Sequence, residues 1–216
     1  MDRLLRMLFV LLLARPVVRL WLGVTVRHQE RFPLRGPAIV LANHNSHLDI
    51  LALFSLFPLR AIPDVQPAAA ADYFLRNRLI AWFATRVVGI VPVPRGAANC
   101  GDPLAGCRQA LARGRVLILF PEGTRGEPEE LSEIKSGIWY LARDFPGVPV
   151  VPVYLLGLGR AMGRGSWLPV PFFTDIAVGR PLPWLADKSR YRASIRTALL
   201  HLKQKTQPVL TGESHE

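Results

Sequence analysis

"PAIVLANHNSHLDIL", residues 37–51, decides the fold, because it changes character midway. Residues 37–43 are an apolar run without polar alternation, the pattern of a short strand covered on both faces. Residues 44–49 then crowd two histidines, an amide, a serine and an aspartate together before apolar sequence resumes. Ser46 is a candidate helix cap, and Ser46-x-x-Asp49 resembles a capping box with Asp in place of Glu. A buried strand running through a polar loop into a capped helix is the repeating unit of a layered α/β domain.

The same unit recurs along the chain. Apolar, β-branched runs at 89–93 (GIVPV), 115–120 (RVLILF) and 148–156 (VPVVPVYLL) read as buried strands, and 172–178 (FFTDIAV) reads as a more alternating one. Helices are expected over 46–57, 70–87, 102–113, 130–143 and 188–205, the first ending before Pro58 and the third at Gly114. Strands alternating with helices imply an α/β fold: a layered, largely parallel β-sheet flanked by helices. No repeat or linker divides the 216 residues. The expected organisation is an N-terminal helical segment over 1–22, one domain over 23–208 and a polar tail over 209–216.

Half of the residues are hydrophobic, yet the net charge is +11, carried mostly by arginine. An apolar and basic chain suits an anionic partner such as a lipid surface or a phosphorylated substrate. Nucleic acid is disfavoured, since no basic block with interleaved aromatics appears. Cys100 and Cys107 form no CxxC motif and read as ordinary thiols. The longest uncharged stretch near the N-terminus, 7–14, is eight residues closed by Arg6 and Arg15. That is far short of the ~20 that a membrane span needs. Residues 1–22 read instead as a membrane-surface segment. Leucines, Phe9 and Trp21 would meet the acyl boundary, and Arg3, Arg6, Arg15 and Arg19 the headgroups. Pro16 is expected to kink or break that helix. A secreted leader and an ordinary helix packed on the domain are the alternatives.

In parallel sheets, sites gather where strands end. After the first strand, His44 and Asp49 are five positions apart. With Ser46 capping the helix, Asp49 falls in its first turn, from where its carboxylate can fold back to the Nδ1 proton of His44. Nε2 would then be free to act as a general base toward an alcohol. His47 adds a metal option with His44 and Asp49, but no third histidine or HExxH pattern supports it. After RVLILF comes PEGTRG, 121–126, where Pro and Gly stop the strand. Glu122, Gly123, Thr124 and Arg125 there offer a carboxylate, open backbone amides, a hydroxyl and a guanidinium fork suited to phosphate. Arg95 follows the strand GIVPV; alone it would read as a solvated charge.

Taken together, these pieces resemble the glycerophospholipid acyltransferase family, the lysophosphatidic acid acyltransferases and their relatives. The NHxxxxD signature is Asn43-His44-Asn45-Ser46-His47-Leu48-Asp49. GIVPVPR, 89–95, resembles the second block, with Pro92, Val93 and Pro94 where an aromatic, an aliphatic and often an acidic residue usually stand. FPEGTR at 120–125 is intact, and Val151-Pro152-Val153 resembles the fourth block. The Lys135-Ser136-Gly137 step is also similar to the family's.

The resemblance implies an O-acyltransferase with His44 and Asp49 as catalytic residues. Arg95, Glu122, Gly123, Thr124 and Arg125 would bind substrate. The acceptor it implies is a lysophospholipid, 1-acylglycerol 3-phosphate first, and the donor acyl-CoA or an acyl carrier protein, with no metal or other cofactor. Seating on the cytoplasmic face of the cell membrane follows. Lyso-ornithine lipid, other lysophospholipids and glycerol 3-phosphate remain alternative acceptors. A non-catalytic lipid-binding protein is the non-enzymatic alternative. A serine hydrolase lacks its GxSxG elbow, and the glycines at 157, 159 and 163 are spaced wrongly for a dinucleotide site.

Overall fold

In the computed structural model, every residue of strand β2 (Ala38–Ala42) is buried, and its side chains alternate between two apolar layers. Ala38, Val40 and Ala42 join one layer, and Ile39 and Leu41 the other. The structure describes residues 2–95, 101–127, 129–162, 170 and 172–206.

Seven strands make the sheet: β1 (Gly23–Arg27), β2, β3 (Val65–Ala70), β4 (Val91–Val93), β5 (Val116–Leu119), β6 (Val150–Leu156) and β7 (Phe173–Val178), in the order β1-β7-β6-β2-β5-β3-β4. All neighbours pair in parallel except β6 and β7, which are antiparallel. The expected largely parallel α/β sheet is therefore present.

The helices are α1 (Asp2–Phe9), α2 (Leu48–Leu56), α3 (Ala71–Phe74), α4 (Arg78–Trp82), α5 (Ala105–Ala112), α6 (Gly137–Asp144), α7 (Leu158–Ala161) and α8 (Lys188–Thr206). Val10, Ala14 and Val18 from the N-terminal segment, with α2, cover one face of the sheet. Residues of α5, α6 and α8 cover the other. Each fully buried aliphatic side chain in these layers stabilises the fold by roughly 1.5–3 kcal/mol.

The five expected strands are found. Two more, β1 and β3, lacked the apolar signal. β1 is an edge strand paired only with β7, with every second residue exposed. β3 is VQPAAA, whose proline and alanines are poor strand formers; its place between β5 and β4 comes from tertiary pairing. Pro92 is tolerated in β4 because β4 is the opposite edge of the sheet.

Three helix expectations need correction. Residues 70–87 are not one helix: Ala70 ends β3, and Asn77, in extended conformation, accepts a hydrogen bond from the N–H of Leu79 and starts α4 afresh. Phe83–Val88 then continues as a π-helix, closed by Gly89 at φ +78°. Residues 130–136 are not helical either. Their backbone groups serve tertiary partners instead: the N–H of Ser132 reaches Glu122, that of Lys135 reaches the Pro121 carbonyl, and Arg192 and Arg196 of α8 hold the carbonyls of Leu131, Ser132 and Ile134.

Pro16, finally, does not interrupt the N-terminal helix. It lies between two π-helical turns, Val10–Ala14 and Val17–Trp21. Their wider hydrogen bonds, from Arg15 to the Val10 carbonyl and from Leu22 to the Val17 carbonyl, carry the helix past the missing proline N–H. Among the described residues no helix is long and apolar enough to cross a membrane. Cys107 is a free, buried thiol. Cys100, Gly163 and the tail at 209–216 lie outside the described residues.

Candidate active site

β2 delivers its last residues to the C-terminal edge of the sheet between β5 and β6. Asn43 fixes the exit: its amide donates to the Leu155 carbonyl at 2.9 Å and accepts from the Leu155 N–H at 2.7 Å, extending the sheet pairing with a side chain. The next residue, His44, can then only turn away from the sheet.

Asp49, in the first turn of α2, is buried, and one carboxylate oxygen makes three bonds. Oδ2 accepts the Nδ1–H of His44 at 2.9 Å, the N–H of Asn45 at 2.8 Å and the N–H of Ser46 at 2.9 Å. The expected capping box does not form: His47, not Ser46, is the N-cap of α2 and makes no side-chain cap bond, while Asp49 reaches back to the N–H of Ser46 in the preceding turn. Ser46 Oγ itself accepts from Leu48 at 3.2 Å and donates to the Met162 carbonyl. Fixing the turn before α2 and orienting the imidazole are therefore done by the same oxygen. A carboxylate only accepts, so the shared proton sits on Nδ1, and in the neutral imidazole it is Nε2 that offers its lone pair.

The imidazole ring stacks on Phe120, with centroids 4.1 Å apart and planes at 19°. Phe120 immediately precedes the PEGTR turn, so the two motif loops meet at this ring. Glu122 locks them further. It is buried; Oε1 accepts the N–H of His44 at 2.9 Å and Oε2 the N–H of Ser132 at 2.8 Å, while the N–H of Gly126 reaches the His44 carbonyl. The carboxylate expected to touch substrate thus has both oxygens on the protein's own backbone. Its observed work is to hold His44 in place.

His44, His47, Arg95, Gly123, Thr124 and Arg125 share a cleft of ≈ 520 Å³. Its other walls are apolar, from Phe9 and Leu13 of the N-terminal segment, Ile50 and Leu51 of α2, residues 67–70 of β3, and Phe74 and Phe83. Five of the seven sequence-predicted site residues that bear side chains or open backbone toward a ligand, Arg95, Gly123, Thr124, Arg125 and His44, line this one space; Asp49 and Glu122 stand behind it. Arg95 donates to Asp72 at 3.1 Å and to the Gly123 carbonyl at 3.1 Å, which ties the second block to the third. Arg125 forms no ion pair with any described residue and lines the cleft. Gly123 has φ +73°, a conformation that opens the turn toward the cleft. His47 sits close to Tyr73 across the cleft; partial burial first, and then the charge of Arg125, holds its pKa below the ordinary histidine value.

Sequence reasoning assigned no role to Asn43, and it turned two arginines the wrong way. Arg6 and Arg15 do not face headgroups. Arg6 is buried and donates to the carbonyls of Pro63, Val65 and Val88, and Arg15 donates to the Phe57 carbonyl. Only tertiary packing reveals these carbonyls as their partners. Arg3 and Arg19 are exposed, as expected; the Trp21 side chain lies outside the description.

The acyltransferase family model matches residues 23–156, which contain every residue of this cleft except those from the N-terminal segment. The chain is 30% identical over 163 residues to the chloroplastic 1-acyl-sn-glycerol-3-phosphate acyltransferase LPAT1 of Arabidopsis thaliana, covering 69% of this chain and 43% of that protein. A 1-acyl-sn-glycerol-3-phosphate acyltransferase of Chlamydomonas reinhardtii is 34% identical over 166 residues, 74% of this chain and 47% of that one. The human alpha form is 28% identical over 141 residues, 61% and 45% of the two chains. The chain thus spans less than half the length of these three relatives. The crystal structure of the 1-acyl-sn-glycerophosphate acyltransferase PlsC of Thermotoga maritima shares the fold, with a TM-score of 0.72 at 19% identity over 93% of this chain and 80% of that one. A His–Asp pair at a sheet edge and a family model covering most of the domain lead to one statement: this chain belongs to the acyltransferase family.

Proposed function

We propose that the protein transfers a fatty acyl group from a thioester to the free hydroxyl of 1-acylglycerol 3-phosphate. The observation that carries this reading is the 2.9 Å contact between His44 Nδ1 and Asp49 Oδ2 at the wall of an apolar cleft rimmed by arginine. His44 Nε2 removes the hydroxyl proton as that oxygen attacks the thioester carbonyl carbon. The tetrahedral intermediate collapses, the carbon–sulfur bond breaks, and the departing thiolate receives the proton from the imidazolium. Asp49 steadies the imidazolium between these steps. The step as written needs no acyl-enzyme, metal or other cofactor.

Arg125 and Arg95 hold the acceptor phosphate at the mouth, and the turn at Gly123 and Thr124 positions it. The apolar walls take an acyl chain. Names of the similar proteins support the acceptor. For the donor, acyl-CoA and acyl carrier protein both fit a chain of net charge +11.

The protein sits on a membrane surface without crossing it, on the cytoplasmic face. Supporting this are Leu4, Leu8, Leu12 and Leu20 exposed along the N-terminal helix, and Leu79 and Trp82 exposed on α4. Arg3 and Arg19 lie beside the leucines, suited to anionic headgroups.

The deciding experiment incubates purified protein with labelled acyl-CoA, or with acyl carrier protein thioester, against a panel of acceptors. The panel holds 1-acylglycerol 3-phosphate, other lysophospholipids, lyso-ornithine lipid and glycerol 3-phosphate, and lipid mass spectrometry reads the products. Phosphatidate from 1-acylglycerol 3-phosphate is expected. Thioester hydrolysis without any acylated lipid overturns the reading.

A further inference from the structure

Arg6 is an unusual residue to bury. It lies in α1, on the side opposite the exposed Leu4 and Leu8, and is only 7% accessible. Among the described residues its guanidinium forms no ion pair, although the charge of Asp2 acts on it at longer range. It donates instead to three main-chain carbonyls: Nη1 to Pro63 at 2.8 Å, Nη2 to Val88 at 3.2 Å, and Nη2 also to Val65. Arg115 donates to the same Pro63 carbonyl, so a second cation stands near. Burial, with Arg115 adding to it, draws the Arg6 pKa down to about 10. A buried guanidinium whose close partners are all main-chain carbonyls, with the Asp2 charge offsetting it only at longer range, is costly to desolvate.

What the guanidinium holds gives it a purpose. Val65 opens β3, and Val88 is the last residue before Gly89 and the run into β4. The two strands then pair, Ala68 with Val91 and Ala70 with Val93, and β4 leads directly to Arg95. Residues 67–70, Val88, Ile90 and Val93 line the cleft. Gly89 is part of the arrangement: a Cβ there would run into the guanidinium of Arg6. One and two turns further along the same helix, Phe9 and Leu13 reach the cleft themselves.

We propose that Arg6 is a positioning residue. By holding the first carbonyl of β3 and the last carbonyl before Gly89 to the N-terminal helix, it sets where the β4 edge and Arg95 stand when that helix rests on a membrane. The inference rests on the reading of Arg95 as a ligand for the acceptor phosphate. Lysine at position 6 keeps the charge but, as a single ammonium, cannot span the three carbonyls with a planar fork. Methionine fills the space and holds none of them.

The test uses the full chain carrying Arg6→Lys, Arg6→Met or Arg95→Ala, on vesicles of phosphatidylcholine and phosphatidylglycerol. The acyl thioester is saturating and 1-acylglycerol 3-phosphate is varied. Arg6→Met is expected to raise the acceptor KM about tenfold, the effect of one lost charged contact. Its kcat and vesicle binding stay near those of the parent, and Arg6→Lys falls between the two. An unchanged acceptor KM, a fall in kcat alone, or failure of both Arg6 variants to fold overturns the proposal. If Arg95→Ala raises the acceptor KM and the Arg6 variants do not, only this inference falls. If Arg95→Ala has no effect either, the site reading falls and takes the inference with it.

Discussion

Oδ2 of Asp49 accepts the imidazole proton of His44 at 2.9 Å while also accepting the main-chain N–H groups of Asn45 and Ser46. One atom therefore fixes the turn that leads into α2 and orients the base. Asp49→Asn is expected to damage both tasks. An amide still offers one oxygen to the backbone but loses the charge, so stability drops by about 1–2 kcal/mol and acyl transfer by a larger factor. His44→Ala leaves the helix start intact and should cut the rate by ~10²–10⁴-fold, the usual worth of a general base. Chemical denaturation and initial rates on the two variants separate the roles; equal stability losses in both would refute the division.

Glu122→Gln tests the link between the two motif loops. Both carboxylate oxygens accept main-chain N–H groups, and an amide must turn its NH2 toward one of them. A loss of about 1–3 kcal/mol is expected from the buried mismatch, with a lower kcat because the His44 backbone shifts. An acceptor KM that rises while kcat and stability hold would instead mark Glu122 as a substrate ligand.

Arg125→Ala should weaken acceptor binding more than turnover, since its charge has no ion-pair partner among the described residues. A lost charged contact to phosphate corresponds to an acceptor KM raised about 10- to 100-fold. Steady-state kinetics with varied 1-acylglycerol 3-phosphate measure this directly, and an unchanged KM and rate would rule out phosphate recognition at that position.

Cys107 lies on the buried face of α5, and burial pushes its thiol up to about 11. In a Cys100→Ser background, iodoacetamide at pH 8 should label the folded protein slowly and the urea-unfolded protein rapidly. The same shift has a stability consequence. The unfolded thiol ionises from about 8.5 and the folded one only near 11. The contribution of this thiol is thus intact below the lower value and is lost as pH rises toward the higher one. Buried Tyr191, pushed up to about 12, acts in the same direction. The urea midpoint should therefore fall between pH 8 and pH 10.5; a rise would contradict the burial of these groups.

Leu12 and Leu20 are among the most exposed leucines of the N-terminal helix and touch neither apolar layer. Replacing both by serine should leave the free energy of unfolding within about 0.5 kcal/mol of the parent, as surface changes do, while vesicle co-sedimentation drops. Undiminished vesicle binding would place the membrane contact elsewhere.

Much of this protein is written locally. Residues 37–51 specify a doubly covered strand, a polar turn and a helix start through patterning that neighbours in sequence enforce. The His44–Asp49 pair is equally local, since a first-turn carboxylate five positions on is within reach of the imidazole. Tertiary structure decided the rest. β3 exists because the sheet offers it partners on both sides, against weak propensity in VQPAAA, and the short, half-exposed GVTVR is fixed as β1 by pairing with β7. Residues 130–136 stay irregular because Glu122, Pro121 and two arginines of α8 take the bonds a helix would have used. Arg6 and Arg15 face inward because unpaired carbonyls, distant in sequence, lie beneath the helix. Whether Glu122 meets a substrate or the backbone of His44 depends on β2 and β5 lying side by side, and a sheet's strand order is a property of the folded chain.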